Sequence, residues 1–157
     1  MHPNHALIER LYAGLAAKDG EAMAACYAPE ARFTDPVFDV EGGDVGDMWR
    51  MLTSRAGEGF RAEVKDVWAS GGKGSAMWDA WYTFSATGRK VHNTGRATFV
   101  FKDGKIVDHQ DDFDFHAWAS QALGWKGKLL GKTLFLKRKV SGQAMAGLRK
   151  FQQGRAK

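Results

Sequence analysis

The sequence predicts an α+β fold, with helices gathered toward the N terminus and an antiparallel sheet behind them. Three observations predict it. Leu7, Leu11 and Leu15, with Ile8 and Tyr12, recur at helical spacing. From Phe60 onward the apolar period drops to two, the mark of strands with one buried face. Lys102-Asp103-Gly104-Lys105 then supplies an Asp-Gly pair, which tolerates the positive φ angles of a tight hairpin. Helices kept apart from hairpin-linked strands give α+β rather than an alternating parallel architecture.

The spacing predicts a first helix over residues 4–17, capped by Asn4, whose short side chain can accept a backbone N–H of the first turn. Asp19 is placed to cap a short second helix that ends near Ala28-Pro29. Residues 31–36 alternate, with Phe33 and Asp35 on one face; Pro36 cannot donate to a ladder, so a short or edge strand is expected. Asp44 is expected to cap a third helix reaching Arg55, stopped by Ala56-Gly57-Glu58-Gly59. Four strands follow over 60–70, 75–87, 90–102 and 105–115. Residues 117–157 read as helical, with Leu136, Val140, Ala144, Leu148 and Phe151 on one stripe and Lys or Arg over much of the rest. Gly124, Gly127 and Gly131 break the stretch before it, setting off 129–135 as a separate turn.

At 157 residues the chain fits one domain. Its 12% aromatic content with three Pro excludes disordered and collagen-like classes. A single Cys26 forbids an internal disulfide and fits a reducing compartment, so a cytoplasmic location is expected. No apolar run approaches the ~18 residues of a membrane span, and Met1-His2-Pro3-Asn4-His5 lacks the charged-then-apolar pattern of a signal peptide. The net charge of +5 conceals an asymmetry: residues 1–114 hold all 18 acids against 13 Lys and Arg, whereas 115–157 hold 10 basic residues and no acid. An acidic body thus precedes a strongly basic tail.

The N-terminal helices, the strand ending Phe33-Thr34-Asp35-Pro36 and the meander closed by Asp103-Gly104-Lys105-Ile106-Val107-Asp108-His109 resemble the nuclear transport factor 2-like superfamily. Within it they are most similar to the SnoaL-like polyketide cyclase and ketosteroid isomerase branch, over residues 5–116. The resemblance implies a cone-shaped sheet curled around a pocket closed by the helices, a small apolar ligand, and a homodimer. The chain then divides into a cone domain, 1–116, and a basic helical extension of it, 117–157.

Asp35 is the first candidate. A carboxylate beside Phe33 at the end of a partly buried strand is desolvated, which raises its proton affinity toward that of a useful general base. By resemblance the position matches the proton-shuttling base of ketosteroid isomerases. The competing reading is a turn opener, with Asp35 accepting backbone N–H bonds. On the last strand, alternation puts Val107, His109, Asp111 and Phe113 on the more apolar face, with Asp108, Gln110, Asp112 and Asp114 opposite. His109 and Asp111 read either as an acid–base pair or as a hydrogen-bonded pair that fixes the strand. Tyr82 shares a face with Trp78, Ala80 and Phe84; its phenol could donate to a developing oxyanion or simply line the wall. Phe33, Trp49, Trp78, Phe84, Asn93, Phe99 and Phe113 are the candidate ligand contacts, and Phe60 and Trp68 are assigned to core or pocket lining.

A gap-free comparison with steroid isomerases places Leu11 where those enzymes carry a helical Tyr donor and Ala97 where they carry a neutral Asp. Tyr12 is one residue away, about 100° around the helix. Asp111, Asp112, Asp114 and His116 lack a metal-ligand spacing and fall on both strand faces, and no cofactor motif is present. Three functions are therefore expected. The first is a cofactor-independent isomerase, cyclase or hydratase using Asp35 or His109–Asp111, with Tyr82 as donor. The second is a ligand-binding module without turnover. The third is an interaction protein whose basic tail, residues 127–157, docks on a membrane surface or a partner. The tail's alternative is to dock on the acidic body; nucleic acid is not an expected partner.

Overall fold

Pro3, whose fixed φ suits the first helical position, starts α1 (Pro3–Ala16), and the His2 Nδ1 accepts the Asn4 N–H at 3.1 Å. The cap is therefore His2 and not the predicted Asn4. Asp19 caps α2 (Gly20–Ala24) by accepting the Ala22 N–H. The chain continues through β1 (Tyr27–Thr34), β2 (Asp39–Glu41) and α3 (Gly43–Arg55), then β3 (Arg61–Ser70), β4 (Lys73–Phe84), β5 (Arg89–Lys102) and β6 (Lys105–Phe113). It closes with α4 (Phe115–Leu123), α5 (Trp125–Leu130) and α6 (Leu134–Arg155). This computed structural model describes residues 2–155. Asp44 does not cap α3: Gly42 takes the cap position at φ 65°, and Asp44 lies in the first turn facing the tail.

The strands form one curled, open sheet in the order β2-β1-β6-β5-β4-β3. The meander β3–β6 is antiparallel throughout, as predicted. β1 is not the expected edge strand. It lies between β2, to which it is antiparallel, and β6, to which it is parallel. Pro36 falls just beyond β1, where its missing N–H costs the ladder nothing.

The alternation on β3 breaks at Asp66, which takes φ 55°, and the pairing with β4 slips between Lys65 and Trp68. Ala62 and Val64 face inward before this bulge, Val67 and Ala69 after it. Trp68 consequently points outward and is 54% exposed, which corrects its assignment to core or lining.

The main core joins Leu7, Ile8 and Leu11 of α1, Met48 and Met51 of α3, and the inner sheet residues Phe33, Phe99 and Ile106. A second cluster gathers Phe115 and Trp118 of α4 around Val91 and Leu136. The tail spans both. Leu148 is fully buried in the main core, Leu136 lies in the second cluster, and the Ser141 hydroxyl donates to the Val37 carbonyl. Arg149 pairs with Asp44 at 2.9 Å, and the Gln152 amide reaches both Asp44 and Asp47. The C-terminal half of α6 thus docks on the acidic body. Removing Leu148 from a filled core (Leu148→Ala) is expected to cost about 3 kcal/mol in a chemical unfolding titration, whereas Leu134→Ala, at a 59% exposed position, is expected to cost less than about 0.5 kcal/mol. Equal, negligible losses would make α6 an appendage rather than part of the core.

Candidate functional site

Strand register brings the predicted residues together. Phe33 of β1 pairs with His109 of β6, and Thr34 with Gln110. One residue further on, Asp35 comes level with Asp111. Partners in a parallel pair point to the same face, so the two carboxylates enter the same side of the sheet as Phe33 and His109. Across the next strands, Asp111 pairs with Ala97 and Ala97 with Ala76. Two carboxylates and two alanines therefore form one row. The adjoining row is Phe113, Gly95 and Trp78, with the indole lying directly over Gly95.

His109 is enclosed. Only 1% of its surface is exposed, with Phe33 edge-on at 4.8 Å, Phe99 at 4.4 Å, and Tyr27 and Trp49 roughly parallel to it. Its hydrogen bonds fix its tautomer. The Trp49 indole N–H donates to the Tyr27 hydroxyl oxygen at 2.9 Å, so the Tyr27 proton is directed to His109 Nδ1 at 2.8 Å. That leaves Nε2 to carry the ring proton and donate to the Asp111 carboxylate at 2.8 Å. Burial, together with the nearby charge of Asp111, holds the Tyr27 phenol well above its ordinary range and hence protonated. Trp49, Tyr27, His109 and Asp111 form a single directed chain of donors.

Asp35 stands at the other end of the row. Its Oδ1 accepts the N–H groups of Val37 and Phe38 at 2.7 and 2.6 Å, which builds the turn after β1. Burial outweighs those two bonds and, with the neighbouring charge of Asp111, raises its pKa from 3.8 to about 6. Both readings of Asp35 describe it: the residue is a turn opener and a desolvated acid at once. Among the described residues, no donor reaches its second oxygen.

Tyr82 lies near enough to Asp35 for that charge to add to the effect of burial, which raises the phenol. Its oxygen accepts the Trp118 indole N–H at 2.8 Å, so its own proton stays available. Phe84, two residues on, packs edge-on to the same Trp118 in the second cluster. Phe113 packs edge-on against Trp78, whose buried indole N–H has no partner among the described residues. Asn93 of β5 is buried opposite Ala80 of β4, and no hydrogen bond from its side chain to another described residue is present. Asp114 is used locally as the cap of α4, and His116 Nε2 bonds the Lys128 carbonyl.

Two further residues belong to this cluster, neither of them a candidate site residue from the sequence. Tyr27 carried no signal, because its role depends on the β1–β6 register. Tyr12 is one residue from the position that aligns with the steroid-isomerase donor, yet its hydroxyl is fully buried and without a partner among the described residues, and Asp111 and Tyr27 lie close enough to raise it further than burial alone. Both Leu11 and Tyr12 are inside because α1 is covered by β3 on one side and by α2 on the other. Tyr12 also lines an open groove of about 420 Å³ between α1 and β3, with His5, Ala62 and Val64. A second groove, about 620 Å³, lies on the opposite face of the sheet around Trp68, Arg96 and Asp108.

The family model described as SnoaL-like domain matches residues 8–109. Among solved structures, the chain is similar to an NTF2-like protein of unknown function from Burkholderia pseudomallei (TM-score 0.61, 20% identity, covering 73% of this chain and 92% of that one). It is similar also to TerC co-crystallised with polyporic acid (0.64, 19%, 76% and 97%). A third is an LEH-like epoxide hydrolase from M. tuberculosis (0.64, 17%, 82% and 93%). At these identities the likeness is one of fold. No curated protein matches the chain.

Because the folded-state pKa of Asp35 lies above its unfolded value, its ionisation opposes folding. The cost is absent below about pH 4 and complete above about pH 6, where a shift of this size is worth about 3 kcal/mol. Asp35→Asn keeps the Oδ1 acceptor and cannot ionise. It is expected to unfold at a higher temperature than the parent at about pH 8 and at the same temperature at about pH 4; destabilisation at both would contradict a desolvated carboxylate. Tyr27→Phe leaves the Trp49 N–H and His109 Nδ1 without partners and is expected to cost about 2–4 kcal/mol by the same measurement.

Proposed function

Given that the chain belongs to the SnoaL-like domain family of the nuclear transport factor 2-like superfamily, we propose that it is a cofactor-independent enzyme that moves a proton on a small, largely apolar carbonyl compound. The observation that carries this reading is the row of half-buried Asp35 and buried Asp111, with the Asp35 pKa raised to about 6. A carboxylate with that proton affinity is ionised at neutral pH yet basic enough to accept a proton from carbon.

Asp35 removes a proton from the carbon beside the carbonyl, and the electron pair shifts onto the carbonyl oxygen. The Tyr12 hydroxyl, buried and unpartnered, donates to that oxygen as charge develops, and Tyr82 offers a second donor. Asp35 then returns the proton to the carbon framework, so the carboxylate is regenerated and nothing is consumed. Asp111 acts through Asp35: its charge, held by His109, keeps the proton affinity of Asp35 high. His109, with both nitrogens engaged inside the protein, is a positioning residue in this scheme.

A second reading, a binding module without turnover, is favoured by the two backbone N–H groups that Asp35 already holds. The kinship to TerC, co-crystallised with polyporic acid, suits either.

The test is exchange of α-protons from small apolar ketones into heavy water, followed by proton NMR. Wild type is expected to exchange with a rate that rises through about pH 6, as the base ionises. Asp35→Asn is expected to lose at least about 1000-fold, and Tyr12→Phe about 100- to 1000-fold, while both still show ketone-induced thermal stabilisation. Stabilisation by ketones without exchange in wild type would select the binding module, and neither effect would overturn both readings.

A further inference from the structure

The part of the tail that does not dock carries an independent observation. Trp125 and Leu129 of α5 are 72% and 71% exposed, and Leu134 and Phe135 at the start of α6 are 59% and 70% exposed. With Leu130, at 37%, five exposed large apolar side chains fall within eleven residues, whereas the rest of the described chain exposes only Leu52, Trp68 and Val100. Lys126, Lys128, Lys132, Lys137, Arg138 and Lys139 surround them, all exposed. Among the described residues none of these six pairs with a carboxylate, whereas Arg149 and Arg155 further along α6 do.

The presentation is fixed by the fold. Gly127 packs so closely that a Cβ there would overlap the Ala119 carbonyl oxygen, and Leu136 and Val140 anchor the next turns in the second cluster. The inner face of α5 is thus seated on α4, and its outer face, with Trp125 and Leu129 one turn apart, has nowhere to fold back. No described helix is long and apolar enough to cross a membrane.

We infer that this edge, residues 125–139, is a docking surface for an anionic lipid bilayer. Trp125, Leu129, Leu134 and Phe135 enter the headgroup and acyl boundary, and the six basic side chains meet the lipid phosphates. Charge decides against a second copy of the chain on this edge. A two-fold contact would bring six cations onto six cations with no acid in the segment to offset them. A nucleic acid would leave Leu129, Leu134 and Phe135 without a role. The surface is separate from the carboxylate row and stands whether or not the proton-transfer reading holds.

The experiment is flotation of the full-length protein with vesicles of equal parts phosphatidylglycerol and phosphatidylcholine, and with phosphatidylcholine alone. Binding is expected to the anionic vesicles at about 50 mM salt and to fall at least about tenfold at about 500 mM, with little binding to the neutral ones. Leu129→Glu with Phe135→Glu is expected to abolish it at an unchanged unfolding temperature, because both positions are exposed. Lys126→Gln with Lys128→Gln and Lys132→Gln is expected to weaken it while keeping the apolar edge. Failure of the wild type to float with anionic vesicles would overturn the inference. So would undiminished binding of the double-Glu variant, or a solution dimer that the double-Glu variant alone dissociates, which would assign the edge to a second copy.

Discussion

The parallel pairing of β1 with β6 holds the two halves of this chain together, and almost every polar feature of the interior follows from its register. The N-terminal helices deliver β1 to the sheet, the meander delivers β6, and the Phe33–His109 and Thr34–Gln110 pairs align them. A slip by one residue would turn Phe33 and Asp35 to solvent and leave His109 facing a polar strand. The packing of Phe33 and Phe99 on the His109 ring makes such a slip costly. Local alternation selects which face each strand buries; this one pairing selects which carboxylate stands next to which.

The same register lets the interior accommodate polar groups that would otherwise be costly to bury. A buried imidazole needs both nitrogens engaged, and His109 finds one partner on its own strand and one on β1. The Tyr27 hydroxyl makes this possible by accepting from Trp49 of α3 while donating to His109. A single oxygen therefore ties together helix α3 and strands β1 and β6. Asp35 and Asp111, by contrast, each keep an oxygen to which no described residue donates. Groups engaged within the protein lie behind the row, and carboxylate oxygens free of protein donors, among the described residues, lie along it.

Much of the fold was legible from periodicity: the helices, the four-strand meander and the stripe of α6 that reaches the core at Leu148 all follow from it. Asp35, His109 and Asp111 were legible as residues on inward faces near strand ends. Three things were not. The parallel partner of β1 lies some 75 residues away in sequence, and no local signal specifies it. Trp68 was misplaced because one residue, Asp66, adopts φ 55° and inverts the alternation after it, which composition does not announce. Tyr12 was legible as part of the apolar face of α1, but its approach to Asp111 and Tyr27 was not, because it is made between elements far apart in sequence. In each case a long-range contact or a single backbone angle overrode a local pattern.

The bulge at Asp66 has an effect on the company this sheet can keep. β3 is the outermost strand on one side, ten residues long, and a flat strand of that length would offer a template for another chain to extend. The kink at Asp66 interrupts the ladder midway, α1 lies across the strand, and Arg61, Glu63 and Lys65 place charges along its outer side. The opposite border, β2, is only three residues long. Both rims are therefore poor seeds for cross-β growth. Neither rim needs a covering strand to keep another chain from extending the sheet, even though the sheet is open rather than closed into a barrel.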